Sequence, residues 1–329
     1  MKRDQKLEHA LQKVQKPGRY VGGELNSVVK DPSQVDVRFA FCFPDTYEIG
    51  MSHLGIKILY GAINQVPYFW CERAFAPWVD MEEEMRREGI PLYALESGDP
   101  VNRFDFIGFT LQYELSYTNV LNMLELAGIP LRSADRPDLF NIVVGGGPCA
   151  CNPEPLADFF DLFFLGDGEE VDVEVMELYR QCKKGGKSKL EFLEQAAQIE
   201  GVYVPAFYDV TYHEDGRVKA YTPTHGAPST VKKRAIMDMD KAYYPKDFVV
   251  PLIDVVHNRI SEEVLRGCIR GCRFCQAGFL YRPYREKSIE TIDRQCRDLC
   301  LSTGYGEISL SSLSTSDYVK LNELVDTLH

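Results

Sequence analysis

The chain has 329 residues, 45% of them apolar, which exceeds the size at which one hydrophobic core stops growing, so two or more domains are expected. Its formal net charge of -12 repels phosphate backbones and excludes a general nucleic-acid surface outside a local basic patch. No apolar run approaches the roughly 20 residues of a membrane span. The charged opening from Met1 to Arg19, broken at Pro17-Gly18, also lacks the core of a signal peptide, so a cytoplasmic location is expected.

Residues 1–34 form an N-terminal arm carrying Lys2, Arg3, Lys6, Lys13, Lys16, Arg19 and Lys30. It reads as a solvated helix face, with an RNA contact as the alternative. From 35 to 185 short apolar runs alternate with amphipathic segments, the pattern of βαβ units around a parallel sheet. Strands are expected at Val37 to Phe43, Tyr68 to Phe75, Phe106 to Thr110, Ile142 to Val144 and Leu162 to Leu165. Helices are expected at Thr46 to Gln65, Val79 to Glu88, Tyr117 to Ala127 and Glu169 to Lys183. The fold class is therefore α/β, a doubly wound, Rossmann-like sheet. Gly145-Gly146-Gly147-Pro148 and Gly166-Asp167-Gly168-Glu169 follow the fourth and fifth strands, at the carboxyl ends where such sheets open their ligand crevice. The same glycines equally suit tight turns.

Residues 186–250 hold a helix at Lys187 to Gln198, a hairpin of Val202 to Tyr212 with Val218 to Tyr221 around an Asp-Gly turn, and a linker over 222–250. Residues 251–329 open a further unit: strand Glu263 to Leu265, a cysteine-rich loop, helix Ser288 to Thr303, strand Glu307 to Leu310 and a helix from Asp317. Ile289, Ile292, Cys296, Leu299 and Cys300 share one helical face and point into packing.

Ten cysteines in a cytosolic chain are expected as packing groups, redox groups or metal ligands rather than disulfides. Cys42, Cys71, Cys149, Cys151, Cys182, Cys296 and Cys300 lie mostly in apolar segments and read as packing. The remaining three form the run Arg266-Gly267-Cys268-Ile269-Arg270-Gly271-Cys272-Arg273-Phe274-Cys275-Gln276-Ala277-Gly278, a C-x3-C-x2-C spacing directly after a strand. Thiolates so close in sequence are expected to converge on one metal centre. A four-iron cubane on three thiolates keeps one iron open, able to chelate the amino and carboxylate groups of S-adenosylmethionine (SAM). Gly267, Gly271 and Gly278 would let the backbone wrap a cluster closely, and Arg266, Arg270 and Arg273 either offset its charge or are ordinary surface arginines. Zinc is the competing metal, with Cys296 or Cys300 as a fourth ligand.

The loop resembles the C-x3-C-x-aromatic-C signature of the radical SAM superfamily, with Phe274 at the aromatic position. The resemblance implies a 4Fe-4S cluster on Cys268, Cys272 and Cys275, Phe274 beside the adenine of SAM, and a TIM-like partial barrel whose first strand precedes the loop. Reductive cleavage of SAM to a 5'-deoxyadenosyl radical follows from it, with an electron donor such as flavodoxin or ferredoxin. The family's Gly-Gly-Glu-like segment after the second barrel strand is replaced here by Leu310-Ser311-Ser312-Leu313, which makes Ser311 and Ser312 the candidates for SAM contacts.

The preceding sheet resembles the cobalamin (B12)-binding domain of B12-dependent radical SAM proteins. Where cobalamin modules carry D-x-H-x-x-G, this chain has Asp45-Thr46-Tyr47-Glu48-Ile49-Gly50, with tyrosine in the place of the histidine that ligates cobalt. Neutral tyrosine is a poor cobalt ligand. Bound cobalamin is therefore expected to lack a protein lower ligand, with Asp45, Gly50, Gly145, Gly146, Gly147 and Gly166 around it and His53 structural. A barrel of the family has six βα units, whereas residues after Pro251 suffice for about two. A truncated or split protein is expected, with the other barrel units possibly on a separate chain. The alternative is a non-catalytic assembly module with a vestigial or zinc-binding loop.

Overall fold

A computed structural model describes residues 5–328; Lys2 and Arg3 of the arm and the terminal His329 lie outside it. Gln5–Leu11 forms helix α1, whose buried Leu7, Ala10 and Leu11 dock it on the body of the chain. The basic residues of the arm bond to the chain's own acceptors. Lys16 and Arg19 pair with Glu48, Lys13 with Glu84, and Lys30 donates to the carbonyls of Asn64, Val66 and Phe69.

Aromatic and β-branched runs then form strand β1 (Val37–Phe43), helices α2 (Tyr47–Ser52) and α3 (Leu54–Asn64), strand β2 (Phe69–Phe75), helix α4 (Val79–Glu88), strand β3 (Phe106–Thr110), helix α5 (Tyr117–Ala127), strands β4 (Ile142–Gly146) and β5 (Leu162–Phe164), and helix α6 (Gly168–Lys184). The helix expected over Thr46 to Gln65 is divided at His53. That residue takes an extended conformation, and its Nδ1 accepts the Ile56 N–H at 3.3 Å, capping α3.

A second correction concerns the strand expected from Val202. After helix α7 (Lys189–Ala196), started by a Ser188/Glu191 capping box, the pair Val202–Tyr203 (β6) runs antiparallel to β5 and becomes the sixth strand. Only Tyr208–Tyr212 (β7) and Val218–Pro223 (β8) form the exposed hairpin. The sheet order is β2-β1-β3-β4-β5-β6, with β1 to β5 parallel. The order reverses at β1 and β3, the switch point at which doubly wound sheets open a crevice beyond their strand ends.

The segment expected as a linker is irregular but anchored. Ile236, Met239, Phe248 and Val249 are buried, Gly166 bridges to Arg234, and the Val250 N–H donates to the Leu25 carbonyl at 3.0 Å.

The last part comprises β9 (Ile260–Glu263), β10 (Leu265–Arg266), α8 (Ala277–Leu280), β11 (Arg285–Glu286), α9 (Ile289–Thr303), β12 (Ile308–Ser311) and α10 (Leu321–Leu328). Strands β9 and β12 pair in parallel through the α9 crossover, a βαβ unit where the first step of a barrel is expected. β10 and β11 pair antiparallel and pinch the cysteine loop at its root. A separate apolar core gathers Val264, Leu265, Ile289, Ile292, Cys296, Tyr318 and Leu324, so Cys296 packs as its periodicity predicts. Beneath it Lys287 and Glu262 form a buried ion pair at 2.8 Å. No helix of the described residues is long and apolar enough to cross a membrane.

Candidate functional site

A cavity of about 530 Å³ opens at the carboxyl ends of the parallel strands. The sheet domain contributes Gly146 and Gly147 after β4 and Leu165 to Glu169 after β5, with Gly55, Ile58 and Leu59 from α3. The barrel part closes the opposite side with Glu263, Leu265, Arg266 and Gly267, and with Ser311, Ser312 and Leu313 at the end of β12. Gly146, Gly147 and Gly166 of the expected cobalamin set thus share one space with Ser311 and Ser312 of the expected SAM set.

The two parts are fastened by charge. Arg266 bonds to Asp167 at 3.0 Å and Glu169 at 2.7 Å in the sheet domain, and to Glu263 at 2.9 Å in the barrel part. Burial works against its charge, yet Glu263, Glu169 and Asp167 hold the guanidinium well above its ordinary value. Asp167 shows the reverse balance: despite burial, Arg266, the Ile236 N–H and Arg285 hold its carboxyl below the usual range. Arg266 is therefore a structural clasp between the two parts and not an ordinary surface arginine. Arg270 is likewise paired, with Asp317.

Gly267 leaves this clasp with φ of +88°, and a Cβ there would lie 2.6 Å from the Pro283 carbonyl. Its glycine is required where the two arms of the loop cross. Beyond it the loop faces solvent: Cys272 and Arg273 are exposed, and Phe274 is 93% exposed. Cys268 and Cys275 are half-buried, and their sulfurs accept the N–H groups of Arg270 at 3.4 Å and Gly278 at 3.3 Å. All three cysteines are free thiols. Among the described residues, no three His, Cys, Asp or Glu side chains are gathered closely enough to hold a metal ion.

The segment resembling the cobalt-binding motif contributes no residue to the cavity lining. Tyr47 is 1% exposed; its hydroxyl donates to Glu24 Oε1 at 3.0 Å and accepts the Leu252 N–H at 3.2 Å. Burial, reinforced by Glu24, pushes its phenol pKa far up. Asp45 accepts from the Thr46 N–H and the Tyr113 hydroxyl, and a Cβ on Gly50 would strike the Phe75 ring. Gly145 serves packing too, since a Cβ there would meet Phe163 at 2.8 Å. Asp45, Tyr47, Gly50 and Gly145 do not line the cavity, whereas Gly146, Gly147 and Gly166 do.

His53 lines the cavity as well. Because its Nδ1 accepts the Ile56 N–H, the neutral ring carries its proton on Nε2 and offers no lone pair there to a metal. Burial lowers its pKa. Cys151, expected in packing, is instead exposed on the cavity wall, and Gln276 Nε2 approaches its sulfur at 3.9 Å. Ser312 has its hydroxyl engaged with Thr315 and the Ser314 N–H, while Ser311 is exposed. Gln112, Asp172, Lys233 and Tyr281 also line the space. Nothing local in the sequence marks them, because they come together only where α3, α6 and the strand ends converge.

Residues 55–205 match the family model described as "Radical SAM proteins, N-terminal". Over 297 residues the chain is 26% identical to the uncharacterized protein MJ0966 of Methanocaldococcus jannaschii, covering 88% of this chain and 52% of that protein. Two solved structures of the radical S-adenosylmethionine methyltransferase TsrM from Kitasatospora setae share the fold. The first, with tryptophan substrate and the SAM analog aza-SAM bound, gives a TM-score of 0.52 at 12% identity, covering 88% of this chain and 50% of that one. The second, with cobalamin and a 4Fe-4S cluster bound, gives 0.50 at the same identity and coverage. The chain spans about half the length of these proteins. Over residues 55–205 the chain is thus similar to the N-terminal family of radical SAM proteins, and its α/β fold, with a six-stranded largely parallel sheet, is that of the two solved structures.

Proposed function

We propose that the chain is the cofactor-binding part of a radical SAM enzyme, in which the cavity between the sheet and the barrel strands takes SAM and cobalamin beside a 4Fe-4S cluster. One observation carries this reading: the root of the three-cysteine loop and the glycines after β4 and β5 border the same space. The donor set fits a cluster, being three free thiols on one loop, two of them already accepting backbone N–H groups. Drawing them together is the ordering step that ligation drives, as in other sites that form with their metal.

Cys268, Cys272 and Cys275 would hold the cluster, leaving one iron for the SAM amino and carboxylate groups. When bound and reduced, the cluster supplies the electron that cleaves SAM to methionine and a 5'-deoxyadenosyl radical, and cobalamin supplies a cobalt able to carry a methyl group. The chain's part is placement. Gly146, Gly147 and Gly166 admit a flat ligand closely, Phe274 covers the adenine, and Ser311 with Ser312 meets SAM from the second strand. With Tyr47 turned away and the His53 ring proton on Nε2, neither residue supplies a lower cobalt ligand. A flavodoxin or ferredoxin is the proposed reductant.

The second reading is a binding module without radical chemistry, favoured by the separation of the three thiols. Anaerobic reconstitution with iron and sulfide, followed by dithionite and SAM, separates the two. A cubane spectrum with release of 5'-deoxyadenosine supports the enzyme. Absence of the cubane rejects the cluster, and a cubane without product, even with the remaining barrel supplied, supports the module. An unchanged visible spectrum on cobalamin titration removes B12.

A further inference from the structure

One polar side chain in the cavity has no partner. Asp172, on the second turn of α6, is 5% exposed, lines the cavity, and makes no hydrogen bond or ion pair with any described residue. Its Oδ2 stands under Gly168, 3.4 Å from where a Cβ on that glycine would be. The charged groups nearby and the His53 ring are engaged: Glu169 and Asp167 with Arg266, Lys233 with the Leu280 and Arg282 carbonyls, and His53 with the Ile56 N–H.

The walls of this slot are apolar and partly aromatic. Phe39, Phe41 and Phe164 present the face of the sheet, and Ile58 and Leu59 face them from α3. Burial first, and repulsion from Glu169 second, hold the Asp172 carboxyl well above the usual carboxylate range. A protonated acid is a hydrogen-bond donor, and buried donors in folded proteins are satisfied. The acceptor therefore comes with whatever enters the slot. A gap between a sheet face and a helix suits a planar ring, and a single donor suits an unprotonated ring nitrogen.

We propose that Asp172 anchors a slot for a heteroaromatic ring, donating its carboxyl proton to a ring nitrogen of the bound cofactor. The proposal rests on the cavity being a cofactor site. Two groups within that reading carry such a ring, the benzimidazole of cobalamin and the adenine of SAM.

The 329-residue chain, as wild type, Asp172→Leu and Asp172→Asn, is titrated with hydroxocobalamin and with cobinamide, which lacks the benzimidazole, by visible absorbance, and with SAM by calorimetry. Asp172→Leu is expected to weaken one base-carrying ligand about tenfold or more, with cobinamide unchanged. Asp172→Asn, whose amide still donates, stays within a few-fold of wild type. A loss confined to cobalamin assigns the benzimidazole, and a loss confined to SAM assigns the adenine. Infrared spectroscopy of the wild type adds a readout independent of the leucine variant: the protonated carboxyl band absent from Asp172→Asn shifts when the ligand is added. Unchanged affinities in a leucine variant that melts like wild type overturn the proposal. So does a loss shared by both ligands with an unshifted band. A wild type that retains neither ligand removes the cofactor reading itself, and this inference with it.

Discussion

The sheet domain and the cysteine loop are built on opposite principles. Every residue of β2 is buried, β1 is buried at six of its seven positions, and the Phe39 and Phe106 rings stack 5.9 Å apart across neighbouring strands, so packing alone sets the geometry. The loop has its root clamped by Arg266 and the β10–β11 pair, while its cysteine-bearing tip has almost nothing packed on it. A scaffold made by apolar burial can be complete before any cofactor arrives. On the proposed reading, a loop whose ligands are thiols in water is ordered only when its metal binds.

The sharpest way to break this contrast is at the thiols. Alanine at Cys268, Cys272 or Cys275 is expected to reduce iron and sulfide retained after anaerobic reconstitution to background, and SAM cleavage with it, while the melting temperature of the apo chain stays that of wild type. A large loss of apo stability would show that the loop contributes packing after all. Next in size is the clasp. Arg266→Ala leaves Asp167 without one of its cations and Glu169 and Glu263 facing each other in a buried setting, a cost of about 3–5 kcal/mol in urea unfolding. Arg266→Lys recovers only part of it, because an ammonium cannot fork across three carboxylates.

How far each part was legible in the sequence follows the same division. Strands β1 to β5 stand out because continuous apolar runs between turn formers leave few other structures, and the cysteine spacing stands out because ligand identity is written along the chain. The break at His53 was not legible, since its cause is a side chain that caps the next helix in place of a backbone turn. Nor was the turning away of Tyr47, which depends on Glu24, twenty-three residues earlier, and on Leu252, far later in the chain. Asp172 is anonymous in sequence, one acid among several on α6, until the sheet face is laid against it.

Two smaller effects sharpen the comparison within the sheet domain. Gly166 has φ of +106°, and a Cβ there would fall 2.0 Å from the Arg234 carbonyl. Gly166→Ala is expected to cost about 1–3 kcal/mol in thermal or urea unfolding and to weaken retention of any ligand in the cavity. Tyr47→Phe is expected to cost about 1–2 kcal/mol, by removing one hydroxyl from Glu24 and Leu252, and to leave corrinoid titration unchanged. A Tyr47→Phe variant with altered corrinoid affinity would return that residue to the binding site.

The clasp at Arg266 has a consequence for the tether between the two parts. Because three carboxylates from both sides meet on one guanidinium, the separation of the strand-β5 turn from the cysteine loop is set by ion-pair lengths and not by how much chain connects them. Extra residues inserted at the exposed Ser229-Thr230 would enlarge a surface excursion at small entropic cost and leave the two walls of the cavity in register.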